Sequence, residues 1–367
     1  SHPPFPLFRE TCLMNPHLRW MPLMVLGLLW PVCGSAEDRL RRHALVVVGI
    51  PGDQEHRDRF LDTTKTWRTW LITVAGVDEQ DLMILSAANP KTPVSTAENL
   101  AQAVKQLRDR ASEEDSVWVF LLGHGSQDAR HAWLHLPGPD LDAIQWASLF
   151  ADMKATEQVF WLTQAGSGGF LKAFSAPGRI VITATDTDGE VNATRFPHLL
   201  AELMQTQLAS TPPDSRVGPV ASPDQENTPT EDEPAENEPT DRELAEKEVA
   251  EASRPQMESI TNVLQLFRAT ASRVNEEFTS TGLVPTEHAQ LDDNGDQAGT
   301  EFDALEPETM KQAAVESDVV DTVRFPIDGV LAQRTVIFPE RIAQSTESSA
   351  DSLPSDRSNS QFPDPTP

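Results

Sequence analysis

His124 is the residue of this sequence best placed to do chemistry. It follows an apolar run that ends at Leu122 and has a glycine on each side, in the order Leu122-Gly123-His124-Gly125-Ser126. Flanking glycines allow a sharp turn and let another backbone come close. An imidazole placed after a strand can exchange protons in a cleft near neutral pH. The local pattern also fits a histidine that only forms a turn, so its surroundings decide between the two.

A second candidate segment follows the next apolar run, which ends at Trp161 and Leu162, and it reads Thr-Gln-Ala-Gly-Ser-Gly-Gly-Phe. A helix predicted over residues 140–153 separates the two runs. If this helix is a right-handed crossover, the two strands are neighbours in a parallel sheet and their ends lie side by side. His124 and the turn at Ala165–Ser167 then face each other, which is the arrangement that a catalytic pair requires.

Alternating strand and helix patterns must position these two segments. Continuous apolar runs predict strands buried on both faces; they cover residues 44–48, 82–85, 117–122, 158–162 and 180–184. Apolar residues at helical spacing predict helices with one buried stripe; these are a helix from Phe60 to Val74, a helix opened by a capping box of Ser95 and Glu98, a helix capped by Asp140 with Leu141, Ile144 and Leu149 inward, and a helix over 196–208. The alternation predicts an α/β fold of three layers, a mostly parallel sheet with helices on both faces.

The order of these motifs resembles the caspase and legumain (haemoglobinase) group of cysteine peptidases over roughly residues 43–208. Gln164-Ala165 followed by Gly168 is similar to the caspase nucleophile turn, and residues 167–170 are closer to legumain-like versions. The strand at 180–185 with Glu190 downstream resembles the legumain region that helps to line the specificity pocket. The resemblance implies a caspase/haemoglobinase-like fold and a dyad role for His124. It also implies substrate-binding roles for Gly125, Gln164, Asp186 and Glu190.

The sequence departs from that family at the nucleophile. The family's cysteine falls on Ala165 or Gly166, depending on how the turn is aligned, and neither side chain can attack a carbonyl. The chain has two cysteines, Cys12 and Cys33, and both precede the predicted cleavage of a signal peptide. A mature chain would therefore carry out no thiol chemistry.

Three functions remain open. The first is a catalytically inactive domain that binds peptide or protein segments through the former substrate cleft. The second is an active peptidase or hydrolase with Ser167 as nucleophile and His124 as partner, because a serine hydroxyl needs a base in contact with it. The third is an envelope structural or interaction protein that acts through its acidic disordered segments.

The beginning of the sequence is typical of a secretory signal peptide. Met14 is a plausible start, residues 21–32 are an apolar run, and residues 34–36 are small and precede Glu37. Such a pattern predicts cleavage and export to the periplasm or the extracellular space. A permanent anchor and a lipoprotein cleaved at Cys33 are the alternatives.

The charge is strongly acidic, with 29 Lys and Arg against 57 Asp and Glu and a formal net charge of -28. This charge disfavours nucleic acid and anionic membranes as partners, beyond the signal segment itself. The predicted partners are the peptide or protein segments that the former substrate cleft would bind. No cofactor is predicted, and the oligomeric state stays open. The predicted organisation is an extension and signal peptide at 1–36, the α/β domain at 37–209, a disordered acidic insertion at 210–256, a packed helix and acidic turn at 257–301, and a mostly disordered tail at 302–367 with a possible strand at 330–338.

One acidic turn raises the question of a metal. Asp292, Asn294 and Asp296 alternate like the first ligands of a calcium loop, with Asp303 at the closing position. Gln297 stands where such a loop needs its glycine. A solvated acidic turn is therefore favoured over a calcium site. Four other histidines show no metal-ligand spacing and are predicted to be structural or at the surface; they are His131, His135, His198 and His288.

Overall fold

The computed structural model describes residues 41–186, 190, 192–211, 260–305 and 327–338. The predicted signal peptide at 1–36, nearly all of the predicted acidic insertion at 210–256 and the end of the chain lie outside these ranges. Within them, no helix is long and apolar enough to cross a membrane.

Within the described ranges, ten strands form two sheets; they are β1 (Arg42–Val48), β2 (Leu82–Ser86), β3 (Ser116–Leu122), β4 (Gly125–Gln127), β5 (Ala132–Leu134), β6 (Leu141–Asp142), β7 (Glu157–Leu162), β8 (Arg179–Thr183), β9 (Gln290–Asp292) and β10 (Thr300–Glu301). The main sheet has the order β10-β9-β8-β7-β3-β1-β2, and β4, β5 and β6 form a small antiparallel sheet. Strands β2, β1, β3, β7 and β8 are parallel, and β9 and β10 are antiparallel additions. The five strands predicted in residues 44–184 are confirmed, and β3 and β7 are neighbours as expected.

Helices cover both faces of this sheet; they are α1 (Gln54–Thr73), α2 (Ala97–Arg110), α3 (Ala143–Leu149), α4 (Gly168–Phe174), α5 (Phe196–Ser210), α6 (Val263–Ser280) and α7 (Val330–Arg334). Alternate residues of β1 point to opposite sides. Val46 packs in one apolar cluster with α1, α5 and α6, and Val47 packs in the other with α2, α3 and α4. The predicted three-layer α/β fold is therefore confirmed.

The start of α2 differs from the prediction. The Ser95 hydroxyl donates to the Val48 carbonyl at 2.6 Å, so it holds the loop to β1 and does not cap the helix. Thr96 is the N-cap, and its side chain accepts a hydrogen bond from the Asn99 backbone N–H. The predicted capping box of Ser95 and Glu98 is wrong by one residue because a neighbouring strand uses the serine.

The start of α3 also differs. Asp142 is its N-cap and forms a capping box with Gln145, whereas the predicted cap Asp140 accepts from the Leu136 N–H in the preceding loop. Ile144 is 68% exposed, so the predicted inward face is wrong there. Ala143 and Trp146 are the buried residues of this short helix, three residues apart on the face that packs on the sheet.

The segment at 327–338 contains α7 and a single bridge between Val336 and Asn262, so the predicted strand is wrong.

The buried Arg42 of β1 connects this segment to the first strand by hydrogen bonds. Its guanidinium donates to the carbonyls of Ala75 at 2.7 Å, Val336 at 2.9 Å and Ile337 at 3.1 Å, and it lies 4.3 Å from the Trp118 ring. Burial lowers the pKa of Arg42 to about 10.

Replacing Arg42 with methionine tests this connection. Arg42→Met fills the apolar space but leaves buried carbonyl groups without donors, so the free energy of unfolding is expected to fall by about 2–4 kcal/mol. Urea denaturation of the full chain measures it. The matched control is Arg59→Met, because Arg59 is 54% exposed and pairs with Glu55 at the surface. That change is expected to cost less than about 0.5 kcal/mol. Equal losses in the two variants would contradict the role of Arg42.

Candidate functional site

His124 is half-buried and lies just beyond the C-terminal end of β3, an interior strand of the main sheet. Its Nε2 atom is 3.1 Å from the Pro51 carbonyl oxygen, and its own carbonyl accepts from the His135 N–H at 2.9 Å. The loop after β1 and the small antiparallel sheet therefore hold the imidazole in place. A proton shared with Pro51 would sit on Nε2 and leave Nδ1 as the acceptor.

A second histidine, which the sequence analysis did not identify, stands beside His124. The rings of His56 and His124 meet edge to face with centroids 4.6 Å apart, and Phe60 packs 5.6 Å from His124. The Asp53 carboxylate caps α1 and contacts His56 Nδ1 at 2.9 Å. Hydrogen bonds from His56 lower the pKa of Asp53. The signal that could have found His56 is its place in the first turn of a helix that begins where β1 ends.

The turn after β7 comes against the His124 loop, as the parallel pairing of β3 and β7 requires. Gly125 packs so closely on Ala165 that an added Cβ would collide with the Ala165 carbonyl oxygen. The sequence-predicted neighbours are thus brought together. Gly125 is required at this point because two backbones approach each other there.

Neither candidate nucleophile position offers a reactive group. Ala165 is 2% exposed, and Gly166 has a φ of 66°, with its N–H donating to the Glu190 carbonyl at 2.8 Å. Ser167 is fully buried, and its Oγ accepts from the N–H groups of Ala184 at 3.0 Å and Thr185 at 3.2 Å. The serine hydroxyl therefore holds the turn to the end of β8.

Gln164 is fully buried in the same turn. Neither its Oε1 nor its Nε2 has a hydrogen-bond partner among the described residues. Its Cγ would lie 3.1 Å from a Cβ added at Gly125, which places the amide beside the His124 loop. A buried amide without partners is costly unless another group satisfies it. The Gln164 amide is therefore enclosed beneath the turn, without a hydrogen-bond partner among the described residues.

Asp186 and Glu190, which the resemblance placed in the substrate region, meet His288. The Glu190 Oε2 accepts from the N–H groups of Asp186 at 3.1 Å and His288 at 2.9 Å, and Glu190 Oε1 is 2.5 Å from His288 Nδ1. The hydrogen bond to Glu190 raises the pKa of His288. All three residues are half-buried. Their separation in the chain explains why sequence spacing did not reveal this group.

The remaining histidines have packing or surface positions. His198 accepts or donates a hydrogen bond with Thr63 Oγ1 at 2.8 Å, and burial lowers its pKa to about 4. His131 lies 3.5 Å from Asp128, and His135 lies 3.2 Å from Asp140.

The acidic turn at 292–297 is held by its own backbone. Asp292 Oδ1 and Oδ2 accept from the N–H groups of Gly295 and Gln297, and Asn294 Oδ1 accepts from the Asp296 N–H. Asp292 and Asn294 are buried, so the favoured picture of a solvated turn is wrong for them. These hydrogen bonds hold the shape of the turn.

Two further carboxylates in this region attach α7 to the sheet. The Asp293 carboxylate accepts from the N–H groups of Gly329 and Ala332 at 2.8 and 2.7 Å, and Asp328 accepts from the Asp293 N–H at 3.0 Å. Burial, together with the neighbouring Asp328, raises the pKa of Asp293 to about 7. Burial also raises the pKa of Asp328 to about 6.

Comparison with known proteins agrees with part of this picture. Residues 96–209, less than a third of the chain, match the model of the Peptidase C13 family. No curated protein matches the chain significantly. Similar solved structures include caspase-1 from Spodoptera frugiperda (12% identity, TM-score 0.30, 46% of this chain and 70% of that one). A second is a structural-genomics protein from Geobacter sulfurreducens (12% identity, TM-score 0.32, 47% of this chain and 90% of that one). A third is the Drosophila initiator caspase Dronc (11% identity, TM-score 0.30, 46% of this chain and 67% of that one).

These TM-scores are low, so the assignment rests on the topology and on the family match. A largely parallel sheet between two helical layers carries a histidine at the end of one strand and a small-residue turn at the end of the next. The family match spans β3, β7 and β8 and includes His124 and the turn at Ala165–Ser167, so this part of the α/β domain is similar to the Peptidase C13 family.

The Gly166 turn can be tested by adding a β-carbon. Gly166→Ala forces an L-residue into the left-handed region and places its Cβ 3.2 Å from Gln127 Cβ. The free energy of unfolding is expected to fall by about 1–2 kcal/mol from the backbone alone, and further from the contact. Gly76→Ala is the matched control, because Gly76 has a φ of 70° and open space around it. Denaturation showing the larger loss for Gly76→Ala would contradict the crowding of this turn.

The attachment of α7 predicts a dependence of stability on pH. The folded-state pKa of Asp293 is raised, so protonation of this group stabilises the folded state. Its contribution to the free energy of unfolding is at its full value below about pH 4 and is lost as the pH rises through about 7. Asp293→Asn removes this titration. The unfolding free energy of the wild type, relative to the variant, is expected to fall by on the order of 2 kcal/mol between pH 5 and pH 8. Urea denaturation at several pH values measures it, with Asp296→Asn as the control in an exposed part of the turn. A pH-independent difference would show that the pKa of Asp293 is not raised.

Proposed function

We propose that this chain is an exported caspase/legumain-like domain without peptidase activity, which binds peptide or protein segments through the former substrate cleft. The observation that carries the proposal is the pairing of a half-exposed His124 with a turn that holds no nucleophile. Ala165 and Gly166 have no reactive atoms, and the two cysteines of the chain, Cys12 and Cys33, lie far from this turn in sequence and outside the described residues. Export is proposed from the apolar run at 21–32 alone.

The surroundings of Ser167 argue against the alternative of a serine hydrolase. A nucleophilic hydroxyl must contact its base and be open to the substrate. The Ser167 hydroxyl is fully buried and engaged with Ala184 and Thr185, while His124 Nε2 faces Pro51. Ser167 therefore supports the turn in this proposal.

A bound segment would contact groups at the end of β3 and in the loop after β8. His124 and Gly125 are half-exposed, and Asp186 and Glu190 lie at the side where Glu190 bonds to Gly166. A peptide backbone has the donors and acceptors that can pair with the backbone of a glycine-flanked loop.

A peptide array probed with the full chain tests the proposal. Captured peptides are to be remeasured in solution with wild type, with His124→Ala and with the matched surface control His131→Ala. We expect at least a tenfold weaker affinity for His124→Ala, because the residue lies in the proposed cleft, and an unchanged affinity for His131→Ala. The same peptides are expected to stay intact by mass spectrometry, and a fluorophosphonate probe is expected to leave Ser167 unlabelled.

Three outcomes would overturn this proposal. Cleavage that disappears in His124→Ala would establish an active hydrolase, and labelling at Ser167 would identify its nucleophile. Capture that survives His124→Ala but is lost when residues 212–256 and 345–367 are deleted would favour an interaction protein that acts through its acidic segments.

A further inference from the structure

The geometry points to a binding site for one divalent transition-metal ion of the zinc type, formed by Asp186, Glu190 and His288. One ligand atom from each residue lies within 4.8 Å of the others. Ligands bound at about 2.0–2.2 Å around one zinc ion have separations in this range. Two of these residues follow β8 and the third precedes β9, so the group joins two segments that lie far apart in the chain.

The Glu190 carboxylate is held in place by backbone N–H groups, and it orients the His288 ring. The N–H groups of Asp186 and His288 both bond to Glu190 Oε2, which turns Glu190 Oε1 toward His288 Nδ1 at 2.5 Å. This contact is a hydrogen bond, so one proton lies between the two atoms. An ion that takes the place of this proton needs the two atoms to separate to about 3.4 Å, the distance between neighbouring ligands of a tetrahedral zinc ion with bonds of about 2.1 Å.

The residue types select the class of ion. Two carboxylates and one imidazole combine the charge that neutralises a divalent cation with a nitrogen ligand that calcium and magnesium rarely use. Zinc accepts this mixture of oxygen and nitrogen ligands. All three residues are half-buried, which leaves room for water or a bound group at the remaining coordination position.

Buried neighbours support the segments that carry the ligands. Glu287, next to His288, is buried, and its carboxylate accepts from the N–H groups of Arg195 and Phe196 at 2.8 Å each, at the start of α5. The carbonyl of Glu190 accepts from Gly166 at 2.8 Å. A bound ion would therefore fix the loop after β8 directly beside the turn that lacks a nucleophile. The inference concerns the ion alone and stands whether or not the cleft binds peptides.

Zinc titration of the full chain, stripped with a chelator and followed by calorimetry, tests the site. We expect one zinc ion per chain in the micromolar range or tighter. Glu190→Gln and His288→Ala are expected to weaken binding by roughly tenfold or more, because each removes a ligand. Asp186→Asn is expected to weaken it as well. Cobalt serves as a second probe, since its visible absorption is expected with wild type and lost with His288→Ala.

The matched control is His135→Ala. His135 also lies beside a carboxylate, at 3.2 Å from Asp140, but no third acidic, histidine or cysteine ligand joins them among the described residues. This variant is expected to bind zinc like wild type. Circular dichroism of each variant separates loss of a ligand from loss of the fold, and Glu190→Gln keeps the acceptor for the two N–H groups.

The inference is overturned if wild type binds no zinc, or if folded Glu190→Gln and His288→Ala bind it unchanged. It is also overturned if His135→Ala loses as much affinity as His288→Ala, because zinc would then bind histidines nonspecifically. Peptide capture without zinc binding would leave the proposed function intact and remove only the metal site. Zinc binding without peptide capture would leave the metal site intact and remove the proposed function.

Discussion

Burial of the main sheet on both faces decides where this domain can carry polar chemistry. The side chains of β1 and β3 are fully enclosed between the helical layers, and an unpaired polar group there would cost several kcal/mol. Functional groups are therefore confined to the two ends of the strands. At the C-terminal ends stand His124 and Gln164, next to turns that require glycine. At the opposite ends, the buried side chains of Arg42 and Arg179 donate hydrogen bonds to backbone carbonyls.

The separation of polar groups between the two ends explains what the sequence could predict. A strand enclosed on both faces is a continuous apolar run. The residues alone therefore predicted β1, β3 and β7 and their parallel order. The neighbouring positions of His124 and Ala165 then followed from the right-handed crossover. The details of the helix ends did not follow, because Ser95 is used by the Val48 carbonyl and Asp140 by the Leu136 N–H. Local sequence contains no information on which distant group will take a capping side chain.

Parts of the site that arise from distant residues were also hidden. Glu190 and His288 are separated by nearly a hundred residues, and only the antiparallel return of β9 beside β8 brings them together. His56 was overlooked for a related reason, since its relation to His124 depends on the loop between β1 and α1. The acidic turn shows the reverse case, in which a spacing that resembles a calcium loop serves to bond Asp292 to its own backbone.

The turn after β7 is held in shape by backbone and buried contacts around Ala165 and Gly166. Its shape depends on the bond from Gly166 to Glu190, on the bonds that Ser167 accepts and on the close contact with Gly125. None of these interactions requires a side chain at Ala165 or Gly166. The hydroxyl of Ser167 is used to hold the turn to the end of β8.

The contact between Arg42 and the carbonyls of Val336 and Ile337 has a consequence for folding. It joins residues 294 and 295 positions apart, so the first strand acquires its last hydrogen-bond partners only after almost the whole chain has been synthesised. Closing so long a loop costs little more entropy than closing one half its length, since the cost grows only logarithmically. The long acidic stretch between α5 and α6 is thus tolerated thermodynamically. Completion of the domain is nevertheless a late, non-local event, and such pairings form slowly.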